Sequence, residues 1–130
     1  MKRSSLSAKL RSFFSCRPEI IVAYLFGSMA SGRSHRFSDV DVAVLLDEKK
    51  VRDVYPYGYK AHLISDLMSL LKRNDIDVVV LNKSSYFLRH QIINGGKIVY
   101  ERDVKKKILF EADMMSRYPD IKRLLSLHMG

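Results

Sequence analysis

Apolar residues recur along the chain with two different periods, and each period predicts one kind of secondary structure. A repeat of three and four residues indicates an amphipathic helix, whereas a short apolar run bounded by turn residues indicates a buried strand. Helical repeats lie at Ser5 to Cys16, Tyr59 to Arg73, Ser84 to Ile93 and after Asp103. Apolar runs lie at Ile20 to Phe26, Asp39 to Leu46, Asp75 to Asn82 and Lys97 to Glu101. This order predicts an α+β fold.

The connections between the apolar runs predict a mixed β-sheet flanked by helices. A helix joins the second strand to the third, and parallel neighbours need such a connection. We expect a single domain over residues 1–130, with 104–130 as a C-terminal helical extension. Its first helix is indicated by apolar residues at Ile108, Leu109, Ala112 and Met115, and Asn74 suits the C-terminal cap of an earlier helix. The extension is rich in Met and Leu, which suits either closure of the core or contact with a protein partner.

Composition narrows the class of protein and of partner. The 130 residues carry 23 Lys and Arg against 14 Asp and Glu, and this net charge of +9 favours nucleic acid, nucleotide phosphates or an acidic protein face. Cys16 is the single cysteine, so we expect no internal disulfide and a buried thiol in a reducing cytoplasm. No apolar run approaches the ~18 residues of a membrane span, so we expect a cytoplasmic protein without a membrane partner.

Two aspartates, Asp39 and Asp41, begin the second apolar run and are separated by one valine. Side chains alternate between the faces of a strand, so both carboxylates point to one face while the neighbouring valines enter the core. Such close like charges repel unless a cation lies between them, and Mg²⁺ prefers hard oxygen ligands. Asp77 begins the third strand and is expected at the same sheet edge. Asp75 shares its face and is a fallback third ligand, although its place next to the cap residue Asn74 favours the role of a helix-end acid.

A glycine-serine pair, Gly27 and Ser28, follows the first strand. Free backbone N–H groups and the Ser28 hydroxyl can hold phosphate oxygens there, and Gly27 permits close backbone approach. Alternatively, Ser28 is an ordinary helix N-cap. The local sequence leaves both interpretations open. Together with the carboxylates, the pair indicates a phosphate site beside a metal cluster, as phosphoryl or nucleotidyl transfer with two metal ions requires.

The spacing of these motifs resembles that of the DNA polymerase beta nucleotidyltransferase superfamily. Ten residues separate the Gly-Ser pair from the Asp-Val-Asp motif, and a later strand carries a third Asp. The chain length and the segments "DVVVLN" and "LRHQIINGGKIVYERD" are similar to its minimal nucleotidyltransferases, the MntA-type antitoxins encoded beside HEPN-domain toxins. The resemblance covers roughly Ile20 to Asp103 and implies a polymerase-beta-like nucleotidyltransferase fold.

The resemblance also implies a reaction and roles for the acids. A nucleoside monophosphate passes from a nucleoside triphosphate to a hydroxyl, and pyrophosphate leaves. Asp39 and Asp41 would bind two Mg²⁺ ions, Asp77 would bind the ion that activates the acceptor, and Gly27 and Ser28 would hold the triphosphate of ATP.

This chain departs from the family pattern directly after the Gly-Ser pair. Members often have an arginine there, whereas this chain continues with "MAS". The departure puts some phosphate contacts in doubt and shifts the expectation to Arg33 or Arg36.

The most specific function that the resemblance implies is an antitoxin that transfers AMP from ATP to a tyrosine of a HEPN-family toxin. One alternative is an aminoglycoside-type small-molecule nucleotidyltransferase, although little chain remains after Asp103 for a substrate domain. Another is a non-catalytic antitoxin that masks its partner, although the intact acids argue against it. Direct nucleic-acid binding stays open, since the basic residues form no continuous stripe with interleaved aromatic residues along the sequence.

Overall fold

The computed structural model of the chain describes residues 3–27, 39–52 and 54–116. Its helices are α1 (Arg3–Ser15), α2 (Tyr59–Leu71), α3 (Tyr86–Gly95) and α4 (Val104–Ser116). Its strands are β1 (Ile20–Phe26), β2 (Val40–Leu46), β3 (Ile76–Val80) and β4 (Lys97–Glu101). Short 3₁₀ turns lie at Glu48–Lys50 and Leu81–Lys83. Among the described helices, none is both long enough and apolar enough to cross a membrane.

The strands form one mixed sheet in the order β3-β2-β1-β4. β1 pairs antiparallel with β2 and with β4, and β2 pairs parallel with β3. α2 lies between β2 and β3 in the chain, and it supplies the crossover that a parallel pair requires. The predicted α+β class and the mixed sheet flanked by helices are therefore confirmed.

Helices cover both faces of the sheet. α1 and α2 pack on one face, where Leu10, Phe14 and Leu67 are fully buried. α3 and α4 cover the other face through residues that include Ile92 and Phe110. The central strands β1 and β2 are buried along nearly their whole length, because they have helices on both sides. This position explains why their sequences are continuous apolar runs rather than alternating ones.

The ends of α2 and β3 differ from the prediction. Lys72, not Asn74, caps α2, with a left-handed φ of 54° and its N–H bonded to the Met68 carbonyl. The earlier end leaves Arg73 and Asn74 for the short connection that carries the chain into β3. β3 itself ends at Val80, before the predicted limit, because the chain turns into a 3₁₀ helix there.

The inner face of α4 also differs from the predicted one. Ile108 and Leu109 are 53% and 61% exposed, whereas Met114 is buried and Phe110 packs against the core. The inner face carries a polar contact as well, because the Tyr24 hydroxyl of β1 donates to Glu111 at 2.8 Å. Ile108, Leu109 and Ala112 of the predicted apolar repeat therefore lie on the outer side of this helix. The Met- and Leu-rich residues 117–130 lie outside the described residues.

The Cys16 thiol is exposed, which shows that the expected buried thiol was wrong. Cys16 follows the last residue of α1, where the chain turns away from the core position of Phe14. The inward helical positions are occupied by Leu10 and Phe14 instead.

Asn82 joins the carboxyl ends of β2 and β3. Its side-chain oxygen accepts the Leu46 N–H, and its side-chain nitrogen donates to the Leu46 carbonyl, both at 2.8 Å. A single side-chain amide thereby satisfies both the N–H and the carbonyl group of Leu46, the last residue of β2.

We expect Asn82→Ala to lower the free energy of unfolding by about 1–3 kcal/mol, because it leaves two backbone groups without their partner. The matched control is Asn94→Ala, which removes an exposed amide that contacts the His90 ring at 3.2 Å. Urea denaturation measures both. Equal stability losses in the two variants would contradict the role assigned to Asn82.

Candidate active site

The register of the sheet brings two of the predicted acids side by side. Asp41 of β2 lies directly opposite Asp77 of the parallel neighbour β3 and opposite Phe26 of the antiparallel neighbour β1. Residues paired in register on adjacent strands project to the same face. Asp39 lies immediately before β2, so three carboxylates gather at the amino ends of β2 and β3. The predicted convergence at one sheet edge is observed.

Gly27 closes this edge from the end of β1. Its φ is 73°, and a Cβ built on it would lie 2.5 Å from Asp41 Oδ2. The backbone therefore passes against the Asp41 carboxylate so closely that only glycine fits. The sequence interpretation assigned this close approach to a phosphate, whereas the described contact is with Asp41.

The pKa of Asp41 is raised above its ordinary value of 3.8. Burial is the largest cause, and the negative charges of Asp39 and Asp77 add to it. Asp41 is half-buried between the other two acids, which are exposed. The group of acids therefore holds an excess of negative charge that favours a cation or a proton.

Asp75 has a different role from the three acids. The Arg73 guanidinium donates to both of its oxygens, with Nε to Oδ1 at 2.5 Å. This contact with Arg73 holds the pKa of Asp75 below its usual range. The Asp75 carbonyl also accepts the Val40 N–H at 2.9 Å, which joins the start of β2 to the start of β3. Asp75 is thus engaged within the protein, which disfavours it as the third ligand.

Arg73 is the site residue that sequence reasoning missed. Hydrogen bonding to Asp75 raises its pKa, and the negative charge of Asp39 adds to the effect. A basic residue two positions before an acid was the available sequence signal, but it did not indicate proximity to Asp39. Ser28, Arg33 and Arg36, the other predicted nucleotide-binding residues, lie outside the described residues.

The donor chemistry of this edge fits a hard divalent cation. Carboxylate oxygens are the ligands that Mg²⁺ prefers. Burial, and after it the charges of Asp39 and Asp77, raise the pKa of Asp41, and a bound cation would offset both effects. Within residues 3–27, 39–52 and 54–116, no three His, Cys, Asp or Glu side chains are already placed to hold one ion. Joint coordination therefore requires rotation of side chains, and the exposed Asp39 and Asp77 have room for it.

We expect Gly27→Ala to disrupt the site and Gly58→Ala to spare it. Both glycines have positive φ, so each alanine adds backbone strain of about 1–3 kcal/mol. Only the Gly27 methyl group also collides with Asp41, since nothing lies within 4 Å of a Cβ at Gly58. Thermal unfolding and Mg²⁺ titration by calorimetry measure the two effects. Unaltered ion binding in Gly27→Ala would contradict the assigned contact.

We expect Asp41→Asn and Asp75→Asn to change stability in opposite directions at pH 7 in the presence of EDTA. Ionised Asp41 opposes folding because its folded pKa is raised, so its removal stabilises the protein. That gain shrinks as the pH falls through the raised pKa toward 3.8. Ionised Asp75 supports folding because its folded pKa is lowered, so its removal destabilises the protein. Urea denaturation across pH 3–7 tests both signs, and a destabilised Asp41→Asn variant would contradict the first.

Comparison with known proteins identifies the family. Residues 8–105, well over half of the chain, match the family model described as polymerase beta, nucleotidyltransferase. The chain is 31% identical over 105 residues to the protein adenylyltransferase MntA of Shewanella oneidensis, covering 81% of this chain and 70% of that one. It is also 31% identical over 111 residues to the MntA of Aphanizomenon flos-aquae, covering 82% and 74%.

Solved structures agree with this assignment. A crystal structure of a toxin-antitoxin with AMP-PNP superposes with a TM-score of 0.72 at 26% identity, covering 95% of this chain and 98% of that one. A complex of a tri-AMPylated Shewanella oneidensis HEPN toxin with an MNT antitoxin gives 0.67 at 22% identity, covering 98% and 99%, and supports the fold alone. The chain therefore belongs to the polymerase beta nucleotidyltransferase family and, within it, to the protein adenylyltransferases of the MntA type.

Proposed function

We propose that this chain is the antitoxin of a HEPN toxin pair and that, with Mg²⁺, it transfers AMP from ATP to a tyrosine of the toxin. The observation that carries the proposal is the register that places Asp41 beside Asp77, with Asp39 adjacent and Gly27 against the Asp41 carboxylate. The protein is an adenylyltransferase by family. The metal, the roles of single residues and the acceptor are the parts proposed here.

Asp39, Asp41 and Asp77 are the proposed ligands of two Mg²⁺ ions. When bound, these ions would offset charge on the triphosphate and make the acceptor hydroxyl more acidic. The half-buried Asp41 lies between the other two acids, so it is placed to be shared by both ions. Gly27 keeps this carboxylate in position from the end of β1. Ser28, with Arg33 or Arg36, is proposed to hold the phosphates.

The group transfer exchanges one phosphorus–oxygen bond for another. The tyrosine oxygen forms a bond to the α-phosphorus of ATP, and the bond from that phosphorus to the pyrophosphate oxygen breaks. The phenolic proton leaves to water or to a site carboxylate. Asp77 is the natural neighbour of the incoming hydroxyl, because it is exposed while Asp41 is half-buried.

The exposed position of the acids favours an acceptor on a macromolecule. Asp39, Asp77 and Gly27 all lie at the surface of the described structure, so a residue on another protein can reach them. The relatives support this choice, since the MntA proteins of Shewanella oneidensis and Aphanizomenon flos-aquae are named protein adenylyltransferases. A net charge of +9 also suits binding of ATP and of an acidic partner face.

We expect incubation with ATP, Mg²⁺ and the cognate toxin to raise the mass of the toxin by one or more AMP units, located on tyrosine by peptide mass spectrometry. Silencing of the toxin should accompany the change, because the added phosphate brings charge and bulk. An inhibited but unmodified toxin would contradict transfer and favour masking. Modification of an added aminoglycoside instead would favour the small-molecule alternative.

We expect Asp39→Asn with Asp41→Asn, and Asp77→Ala alone, each to lower the transfer rate by more than about 100-fold. Residues that only orient metal ligands are already worth ~10–100-fold, so loss of ligands costs more. The matched control is Asp75→Asn, which can still accept hydrogen bonds from Arg73 and should retain activity. Transfer of label from radioactive ATP measures each rate. Loss of activity in Asp75→Asn but not in Asp77→Ala would reverse the assignment.

A further inference from the structure

A concave site lies at the carboxyl end of β3, at the opposite end of that strand from Asp77. It is a groove of about 870 Å³ at the free edge of the sheet, where Val79 and Val80 meet the segment that precedes α2. We name it the tyrosine groove after the residues that give it its chemistry, which are Arg52, Tyr55, Tyr57, Tyr59, Lys60 and Lys83. The groove residues Val79 and Val80 lie two and three residues beyond Asp77, which is roughly 7–10 Å along an extended strand. The groove therefore begins near the acids and extends away from them, and none of the three acids lines it.

The tyrosines of the groove form a partly fixed aromatic surface. The Tyr55 ring stacks on His62 at 4.3 Å and meets the Tyr59 ring edge-on at 5.8 Å. The Tyr59 hydroxyl donates to the buried Glu19 at 2.8 Å, which fixes that ring to the protein. Tyr57, by contrast, is 91% exposed. A large aromatic ring that is almost fully exposed beside fixed aromatic rings offers a free face for stacking.

The groove is also positively charged. Arg52, Lys60 and Lys83 are exposed, and none of them forms an ion pair with an acid among the described residues. Glu48 is the one acid among the lining residues that the structure describes. Three exposed cations without an ion pair to a described acid, beside aromatic rings, suit a ligand that carries a chain of phosphates and planar bases. The fold assembles this combination from Arg52 to Lys83, although these residues form no continuous stripe along the sequence.

We propose that the tyrosine groove binds single-stranded RNA, with a base stacked on Tyr57 and phosphates beside Arg52, Lys60 and Lys83. Stacking on aromatic rings within a basic groove is the general mode by which proteins hold single strands. The Tyr55 and Tyr57 hydroxyls have no hydrogen-bond partner within the described part of the chain, so they can pair with a ribose 2′-hydroxyl. This property favours RNA over DNA.

Fluorescence anisotropy with the full chain and a labelled oligouridylate tests this site. We expect Tyr57→Ala to weaken binding by about 5- to 150-fold, as loss of one base stack predicts. Tyr57→Phe keeps the ring and should retain most of the affinity for RNA while reducing the preference over oligodeoxythymidylate. The exposure of Tyr57 makes both variants safe for the fold, which melting curves check. Equal binding by the parent and by Tyr57→Ala would overturn the proposal, as would equal affinity of the parent for DNA.

A charge-matched pair of variants distinguishes RNA binding at the groove from nonspecific electrostatic attraction of RNA to a basic protein. Lys60→Gln and Lys9→Gln remove the same charge, but Lys9 is exposed on α1, which packs near β4 at the opposite edge of the sheet. Each phosphate contact contributes about −0.7 to the logarithmic salt slope for a single strand. We expect Lys60→Gln to reduce the slope by about that amount and Lys9→Gln to leave it unchanged. Equal effects of the two would overturn a defined site.

Competition distinguishes RNA from the other possible occupants. Excess ATP should leave bound RNA in place, because none of the three acids lines the groove. Displacement by ATP would make the groove part of the nucleotide site and overturn the proposal. Loss of toxin binding in Tyr57→Ala, without any RNA binding by the parent, would overturn it in favour of a protein occupant. RNA binding that survives Asp39→Asn with Asp41→Asn would support the groove even if the transfer activity proposed above is absent.

Discussion

The repulsion among Asp39, Asp41 and Asp77 is the constraint around which this fold is arranged. Parallel pairing of β2 with β3 places Asp41 and Asp77 in register, and burial at the sheet edge raises the pKa of the central acid. Such an arrangement costs stability unless other contacts offset it. This loss of stability is typical of a functional site, and the excess negative charge favours a cation as ligand.

The contacts that offset this cost lie immediately around the acids. The Asp75 carbonyl accepts the Val40 N–H, and Arg73 neutralises the Asp75 side chain while its charge also lies near Asp39. Behind these polar contacts, β1 and β2 are buried between two layers of helices. The hydrophobic layers hold the strands on both faces of the sheet. The amino ends of β2 and β3 can therefore keep their like charges together while the two strands stay in register.

The two ends of the β2–β3 pair differ in chemistry. Acids occupy the amino ends, whereas the carboxyl ends carry Asn82, which ties the two strands together, and the basic tyrosine groove. Separation of negative from positive surface along one strand pair explains how a protein of net charge +9 maintains an acidic centre.

The sequence by itself determined the strand segments, the mixed sheet and the place of the acids at the starts of two strands, because apolar periodicity and the helical crossover leave few alternatives. The contact of Gly27 with Asp41 was decided by the tertiary structure. Element ends were less predictable, since the left-handed cap at Lys72 and the outward position of Ile108 depend on which neighbours compete for the core. The Arg73–Asp75 pair and the tyrosine groove were decided only by tertiary structure. The residues of the pair and of the groove come together through side-chain placement and loop packing. No periodic pattern in the sequence indicates the distances between these residues.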